Sequence, residues 1–358
     1  MVSTTCLAQD DPNQAFEYCP SLGAAITLSV CFGLITIIHI FLAAKHRKPF
    51  CWVLIMGAIW ETSGYAIRSF NITRQADPNI YTAQFLLILL APLWINAFIY
   101  MTLGRMIHFF LPAGGDRIFG VRARRVTKMF VWFDITAFLV QLAGGLMSSG
   151  TDIKTTKLGL KIYTSGVGLQ LAFIAIFCGI AVQFQQVLKR QDVAQSPQLA
   201  MQALEPYQSN YDRTPEGPET RYDGRTFTTA KPLLITIWLA LSLIILRNVY
   251  RLIEYAMGGV NGNTITRHEW WMYVFDAVPM LAAMVVLTAY HPGRILQGER
   301  SDFSAEDKLK KQQKKAGRLE KKAEKQMRKE AKKAGKAGGK GYFGVKGRSA
   351  NESAEELV

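Results

Sequence analysis

The sequence has few of the residues, and none of the motifs, from which soluble enzymes commonly build an active site. Histidine and cysteine occur only 5 times each in 358 residues, and the histidines are scattered along the chain. There is no Gly-x-x-x-x-Gly-Lys-[Ser/Thr] phosphate loop, no Gly-x-Ser-x-Gly elbow and no His-Glu-x-x-His helix. We therefore expect no ATP motor within the chain, no metal, no cofactor and no covalent catalysis, so that the protein is not an enzyme.

The five cysteines do not make a disulfide framework. Cys31 and Cys178 lie within apolar runs and Cys51 opens another, which favours small buried hydrophobic side chains. Cys6 and Cys19 share the N-terminal segment and could pair if that segment faces an oxidising compartment. The sequence leaves this pairing open.

Hydrophobic residues are abundant by contrast, at 49% of the chain. They collect in blocks of about twenty, the length that an α-helix needs to cross the hydrocarbon core of a bilayer. The pattern predicts an all-α membrane protein with a bundle of seven transmembrane helices. The predicted spans are 22–44, 50–70, 80–103, 129–149, 160–184, 232–257 and 268–290.

The basic residues predict the orientation of these spans, because short cytoplasmic loops collect Lys and Arg. Most of the 42 basic residues fall in the tail after Tyr290 and in the connections on the same side. The opposite connections carry only Arg74, Lys154, Lys157, Lys161 and Arg267. We therefore expect segment 1–21 to be extracellular and the spans to occupy 22–290. The polar connection 185–231, expected to be mobile, and the basic tail 291–358 are expected to be cytosolic.

The tail contains a very charged stretch, from about Ser304 to Lys336, that predicts a helix. Such a helix either stays in solution or contacts anionic lipids of the inner leaflet, at about 1 kcal/mol per basic residue near the surface. Both interpretations stay open. A basic run alone is weak support for nucleic acid, so no such partner is expected. Asn71-Ile72-Thr73 is a weak glycosylation sequon at Asn71, because it lies close to a span end.

Charged and polar residues inside the spans are costly unless they face a partner or a water-filled cavity. In span two, Glu61, Gly64, Tyr65 and Arg68 fall at i, i+3, i+4 and i+7, so a helix places all four on one face. The candidate substrate-binding or transport residues are Glu61, Tyr65, Arg68, Asp134, Gln141, Gln170, Arg247, Tyr250, Arg251, Glu254, Glu269, Tyr273 and Asp276. Span three adds Gln84 and Asn96 as further polar residues.

The spacing also limits which of these residues can pair. Glu61 and Arg68 lie about 10 Å apart along a helix that rises about 1.5 Å per residue, so each is expected to meet another helix. We expect Arg68 to pair with Glu254 or Glu269. We expect Glu61 to pair with Arg247. The charges either lock the bundle together as ion pairs or line a functional cavity; the size of the set favours the cavity.

A series of short motifs follows the spans in order. They are Tyr18-Cys19-Pro20-Ser21, Glu61-x-x-Gly64-Tyr65-x-x-Arg68, Leu90-Ala91-Pro92, Tyr100-x-x-Leu103-Gly104-Arg105, Phe133-Asp134, Gln141-x-x-Gly144-Gly145, Gly166-x-Gly168-x-Gln170, Arg247-x-x-Tyr250-Arg251-x-x-Glu254, Glu269-x-x-x-Tyr273-x-x-Asp276-x-x-Pro279 and His291-Pro292-Gly293. Their order resembles the fungal lipid-translocating exporters related to the aminocholesterol-resistance protein, which are RTA-like seven-span membrane proteins. The basic tail lies outside the resemblance.

The resemblance implies a transporter or translocase of amphipathic molecules, located in the plasma membrane. Members of the family are associated with release of sphingoid long-chain bases, with resistance to toxic amphiphiles and, in one branch, with porphyrin or haem movement. We expect a lipid-like substrate whose cationic head group meets the acids of a polar cavity between helices, with membrane lipids as partners. Neutralising Glu61 is then expected to damage transport more than folding.

Two other classes of protein stay open. A seven-helix receptor that signals to a cytosolic partner fits the topology, the basic loops and the long tail. Span three, however, ends in Leu103-Gly104-Arg105-Met106 rather than Asp/Glu-Arg-Tyr, and span seven lacks Asn-Pro-x-x-Tyr. An intramembrane lipid hydrolase would need clustered His and Asp for a metal, which the scattered histidines do not provide.

Overall fold

The computed structural model describes residues 18–74, 78–111, 117–118, 120–148, 152–204, 226–257, 268–298 and 303–338. The chain divides into two compact units, Met1–Asp302 and Phe303–Val358. The first unit contains the membrane helices. The described part of the second unit is one helix, α10 (Ser304–Gly338).

Within the described residues, seven helices are long and apolar enough to cross a membrane. Six of them are α1 (Leu22–His46), α2 (Trp52–Thr73), α3 (Pro78–Phe110), α4 (Ala123–Ser148), α5 (Ile153–Leu204) and α6 (Phe227–Met257). The seventh consists of α7 (Glu269–Met272), a π-helical segment (Tyr273–Ala277) and α8 (Val278–Ala289). The predicted all-α bundle of seven membrane helices is therefore confirmed.

Short elements connect some of these helices. A 3-10 turn (Pro49–Cys51) precedes α2, and α9 (Pro292–Ile295) follows α8. Between α3 and α4, strands β1 (Arg117–Ile118) and β2 (Val121–Arg122) pair antiparallel, with Arg117 opposite Arg122. These elements are short, at two to four residues each, and do not change the fold class.

Helix α5 is longer than the predicted span 160–184, since it runs from Ile153 to Leu204. It occupies the first part of the connection 185–231, and residues 205–225 lie outside the described residues. The stretch after 184 is rich in Gln, Ala and Leu, which have high intrinsic helix propensity. The polarity that suggested a loop therefore does not end the helix.

The membrane helices pack in chain order, each against the next, and α1 also contacts α8. Aromatic side chains fill the interior, where Phe32, Tyr65 and Phe177 are fully buried. Large apolar side chains also cover the outside, among them Ile37 at 65% exposure and Trp132 at 66%. An exposed apolar surface of this kind suits hydrocarbon rather than water. The protein is a multi-pass membrane protein.

Helices α4 and α5 approach closely at glycines. A Cβ atom on Gly144 would lie 2.3 Å from the backbone nitrogen of Tyr163, and one on Gly166 would lie 2.9 Å from the backbone nitrogen of Gln141. Small residues allow two membrane helices to bring their backbones together. Backbone packing therefore fixes α4 against α5.

The segment before α1 is held by a disulfide and a helix cap. Cys19 is disulfide-bonded, and Cys6, its possible partner from the sequence, lies outside the described residues. The hydroxyl of Ser21 accepts a hydrogen bond from the amide of Ala24 and caps α1. Cys31, Cys51 and Cys178 are not disulfide-bonded.

Helix α10 occupies the very charged stretch of the tail. Its side chains from 311 to 327 are exposed apart from the half-buried Gly317, and Leu319 and Met327 are apolar members of that exposed surface. A helix that is polar on nearly all sides is sustained by solvent and by its own side-chain pairs rather than by a core. Its cytosolic location and any contact with lipid stay predictions.

Candidate functional site

An acid of the seventh span binds two arginines of α6. Arg247 Nε lies 2.6 Å from Asp276 Oδ1, and Arg251 Nη2 donates to Asp276 Oδ2 at 2.5 Å. Arg251 Nη1 also donates to Glu254 Oε2 at 3.1 Å, and the hydroxyl of Tyr250 donates to Glu254 Oε1 at 2.9 Å. We call these five residues the α6 ion-pair cluster. Its two cations and two acids balance each other.

The π-helical segment carries Asp276 toward α6. A π turn inserts one residue into a helix, and such turns are frequent at functional sites. Pro279 has no N–H to donate to the carbonyl of Phe275, four residues earlier, so one bond that would hold a regular α-helix is missing. The irregular helix therefore places one carboxylate between two guanidinium groups.

A second cluster surrounds Arg68 at the end of the bundle where α1 begins. Arg68 Nη2 lies 2.6 Å from Glu269 Oε1, which also accepts a hydrogen bond from the hydroxyl of Tyr273 at 2.7 Å. Arg68 Nη2 donates to the hydroxyl of Tyr18 at 2.9 Å. We call these four residues the Arg68 cluster. The expectation that Arg68 pairs with one of two acids is confirmed, and the acid is Glu269.

The segment before α1 takes part in this cluster, although the sequence analysis did not place Tyr18 among the site residues. The amide of Ser21 donates to Glu269 Oε2 at 2.6 Å. Burial raises the pKa of Tyr18, and the charge of Arg68 opposes that rise. The motif Tyr18-Cys19-Pro20-Ser21 could have indicated that this segment is part of the site. A sequence motif, however, does not predict which helix the segment contacts.

Glu61 behaves differently from the other acids of these spans. It is 1% exposed, and no hydrogen bond or ion pair within 4.0 Å joins it to any residue that the structure describes. The expected pair with Arg247 is not formed, because Asp276 takes that arginine. Arg247, Asp276 and Arg251 are the charged groups whose fields reach Glu61. One turn away, the buried hydroxyl of Tyr65 also has no partner among the described residues.

Asp134 lies apart from both clusters. It is 1% exposed, and neither carboxylate oxygen accepts a hydrogen bond in the described part of the chain. Its polar neighbours are Asn96 and Tyr100 of α3, whose amide nitrogen and hydroxyl also lack partners there. We call Asn96, Tyr100 and Asp134 the Asp134 group. The structure thus separates Asp134 from the arginines with which the sequence had grouped it.

The two glutamines join α4 to α5. Gln141 Nε2 donates to Gln170 Oε1 at 2.9 Å. The ring centroids of Tyr163 and Tyr255 lie 3.9 Å apart, and the charge of Arg251 acts on both side chains. These two tyrosines were not among the predicted site residues, although Tyr255 lies four residues after Arg251 and Tyr163 lies seven residues before Gln170, spacings that share a helical face.

Asn71 is fully buried in the last turns of α2. Its amide oxygen and nitrogen have no hydrogen-bond partner among the described residues. A glycan needs an exposed asparagine, so this burial argues against Asn71 as an acceptor.

Seven membrane helices that enclose ion pairs and unpaired acids define a class, the multi-pass membrane proteins with a polar interior. Comparison with known families identifies the particular one. Residues 54–299 match the family described as RTA1 like protein, and the chain belongs to this family. The match runs from α2 to beyond α9 and includes every charged residue described above. The resemblance seen in the sequence is confirmed.

Three relatives illustrate the family. The chain is similar to the probable lipid transporter atnI of Emericella nidulans, with 36% identity over 288 residues, 80% of this chain and 69% of that protein. It is 26% identical to the sphingoid long-chain base transporter RSB1 of Saccharomyces cerevisiae over 298 residues, 79% of this chain and 75% of that protein. It is 28% identical to protoporphyrin uptake protein 1 of the same yeast over 309 residues, 76% and 90% of the two chains.

No solved structure matches the chain. The relatives are named as transporters or as an uptake protein rather than as enzymes. The expectation that the protein is not an enzyme is confirmed on that ground, and its role is in membrane transport.

Proposed function

We propose that the protein translocates amphipathic, lipid-like molecules, with a sphingoid long-chain base or a related toxic amphiphile as substrate. The observation that carries the proposal is Glu61, a fully buried acid with no ion pair among the described residues, beside an arginine pair that is already balanced. The names of two relatives, a probable lipid transporter and a sphingoid long-chain base transporter, support the substrate class.

The chemistry of the substrate suits this arrangement. An amphiphile must bring its polar head group through the hydrocarbon, where unsatisfied polar groups are costly. Glu61, which forms no ion pair with the described residues, would bind the head group inside the bundle together with the hydroxyl of Tyr65 and Nη2 of Arg247, which lack hydrogen-bond partners there. The tail of the substrate would stay beside the apolar surface of the helices.

The orientation and location are part of the proposal. The distribution of basic residues supports an external N-terminus and a cytosolic C-terminus. The disulfide at Cys19 supports the same orientation, since disulfides persist in oxidising compartments. We place the protein in the plasma membrane on the strength of the family resemblance.

The test is transfer of a labelled sphingoid base across vesicles that contain the purified protein. We expect transfer in protein-containing vesicles to exceed that in empty vesicles, and to exceed that in vesicles holding an unrelated seven-helix protein. Equal rates in all three would remove the proposal.

A second substrate class has its own supporting observation. Arg247 Nη2 has no hydrogen-bond partner among the described residues and could bind a carboxylate, which a porphyrin carries and a sphingoid base does not. One relative is named as a protoporphyrin uptake protein. Competition in the same vesicles decides: protoporphyrin that slows sphingoid-base transfer would show a shared site, and protoporphyrin transfer alone would replace the lipid proposal.

A further inference from the structure

Asp134 is the most isolated charge of the bundle. It lies on α4, is 1% exposed, and has no hydrogen-bond partner among the described residues for either oxygen. The groups that act on it are the neutral side chains Tyr100 and Asn96, and no basic side chain is among them. Glu61, by comparison, lies within the fields of Arg247 and Arg251.

Tyr100, a neighbour of this acid, belongs to an aromatic cluster formed by α3, α4 and α5. Phe130 precedes Asp134 by one helical turn and shares its face. The ring centroids of Tyr100 and Phe130 lie 5.5 Å apart, those of Tyr100 and Phe177 lie 4.5 Å apart, and those of Phe130 and Phe177 lie 5.3 Å apart. The three rings form one buried aromatic cluster next to the carboxylate.

A carboxylate beside aromatic rings, with no cation of its own, is the combination that binds an organic ammonium. A buried carboxylate without a partner is costly, and a positive charge that enters the site removes that cost. Aromatic faces attract alkylammonium groups, and cages of such rings recognise them in other proteins. Near Glu61, by contrast, two arginines already accompany the acids, with Asp276 paired to both.

We infer that the Asp134 group binds the ammonium head of an amine-bearing amphiphile, while the region of Glu61 and Arg247 contacts its uncharged polar groups. Asp134 is the counter-ion, Tyr100 and Asn96 are its polar neighbours, and the rings of Phe130 and Phe177 contact the alkylammonium. The inference rests on the proposed function for its substrate class. Binding to the site can nevertheless be measured without transport.

The test measures equilibrium binding of a long-chain amine and of its N-acetylated analogue to the full-length protein in lipid nanodiscs. The two ligands share the tail and differ in charge. We expect Asp134→Asn to weaken binding of the amine at least about tenfold, as for loss of a charged hydrogen-bonding partner, and to leave binding of the N-acetylated analogue unchanged. Asp134→Glu, which keeps the charge, should bind the amine within about threefold of wild type.

Each result is decisive for the inference. Unchanged amine binding by Asp134→Asn, or equal weakening for both ligands, would overturn it. If Asp134→Asn does not yield monodisperse protein, Tyr100→Phe serves, because it removes only one hydroxyl. It should weaken amine binding about threefold, and an unchanged affinity would count against the inference.

The outcomes also separate this inference from the proposed function. Asp134-dependent amine binding without transfer in vesicles would support the inference and remove the proposed function. Transfer in vesicles that is unaffected by Asp134→Asn would support the proposed function and overturn the inference.

Discussion

Around α6 each buried arginine meets a carboxylate, whereas between α3 and α4 a buried carboxylate meets no cation among the described residues. In the α6 ion-pair cluster, Asp276 contacts Arg247 and Arg251 at 2.6 and 2.5 Å. In the Asp134 group, the neighbours of the acid are an amide and a hydroxyl. The charges of the first region balance each other, and the second region has capacity for a cation from outside.

The α6 ion-pair cluster and the contact between α4 and α5 also differ in the interactions that stabilise them. Buried ion pairs contribute little net stability, but removal of one partner is costly because the other charge stays buried. Between α4 and α5, stability comes from backbone contact at glycines and from the Gln141–Gln170 hydrogen bond. Substitutions should therefore affect the two regions in different measurements.

The largest effect is expected from Asp276→Asn, which would leave Arg247 and Arg251 with one acid between them. The free energy of unfolding should fall by about 3–5 kcal/mol, as for a broken buried pair. Thermal unfolding in detergent measures it. Glu320→Gln on the exposed helix α10 is the matched control and should change nothing. A stable Asp276→Asn protein would end the view that the α6 ion-pair cluster is a structural unit.

The next effect concerns the contact between α5 and α4, the helix that carries Asp134. Gly166→Ala would bring a Cβ within 2.7 Å of Gln141 Cγ and 3.1 Å of the carbonyl oxygen of Ala137. Overpacking of this kind typically costs about 1–3 kcal/mol. Gly168→Ala, two residues away, has nothing within 4 Å and should be neutral or stabilising. Unfolding of the two variants should be compared directly, and equal stabilities would show that α4 and α5 are not held by backbone contact.

Glu61 tests whether an unpaired acid serves transport rather than folding. Glu61→Gln keeps the shape of the side chain and removes a charge that no described cation pairs with. We expect transfer of labelled sphingoid base to slow about tenfold, which corresponds to about 1.4 kcal/mol. The free energy of unfolding should not decrease, because a buried charge without a partner carries a desolvation cost that the variant lacks. A fully active variant at normal expression would show that Glu61 is scaffold.

The smallest effect is expected at the end of the bundle where α1 begins. Tyr18→Phe removes the hydroxyl that accepts from Arg68 but leaves the 2.6 Å contact of Arg68 with Glu269. The loss of one hydrogen bond should lower the free energy of unfolding by about 0.5–1.5 kcal/mol. A decrease in the free energy of unfolding as large as that of Asp276→Asn would show that the segment before α1 contributes as much to the stability of the bundle as the α6 ion-pair cluster does.

Part of the site followed directly from the sequence. Glu61, Tyr65 and Arg68 share a helical face because of their spacing, and Arg68 had to pair outside its own helix because Glu61 is two turns away. The pairing of Arg68 with Glu269 is a consequence of the same reasoning. Gln141 and Gln170 were among the predicted site residues, but their hydrogen bond to each other was not predicted.

Other features could not be predicted by spacing. A regular helix through span seven gives no reason for Asp276 to meet both arginines, because the π-helical segment changes the register. The same change leaves Glu61 without the partner that was expected for it. The length of α5 was missed because polarity was interpreted as a loop, although helix propensity is independent of hydrophobicity.

The sequence by itself determined the number of membrane helices and the set of charges buried among them, because span length and the cost of charge in hydrocarbon are local properties of a segment. The tertiary structure alone decided which charges are paired. Pairing depends on the rotation of each helix about its axis and on its neighbours, which here result from the glycine contacts of α4 and α5 and from the π-helical segment. For that reason Asp134 and Asp276, two aspartates inside predicted spans, lie in such different surroundings.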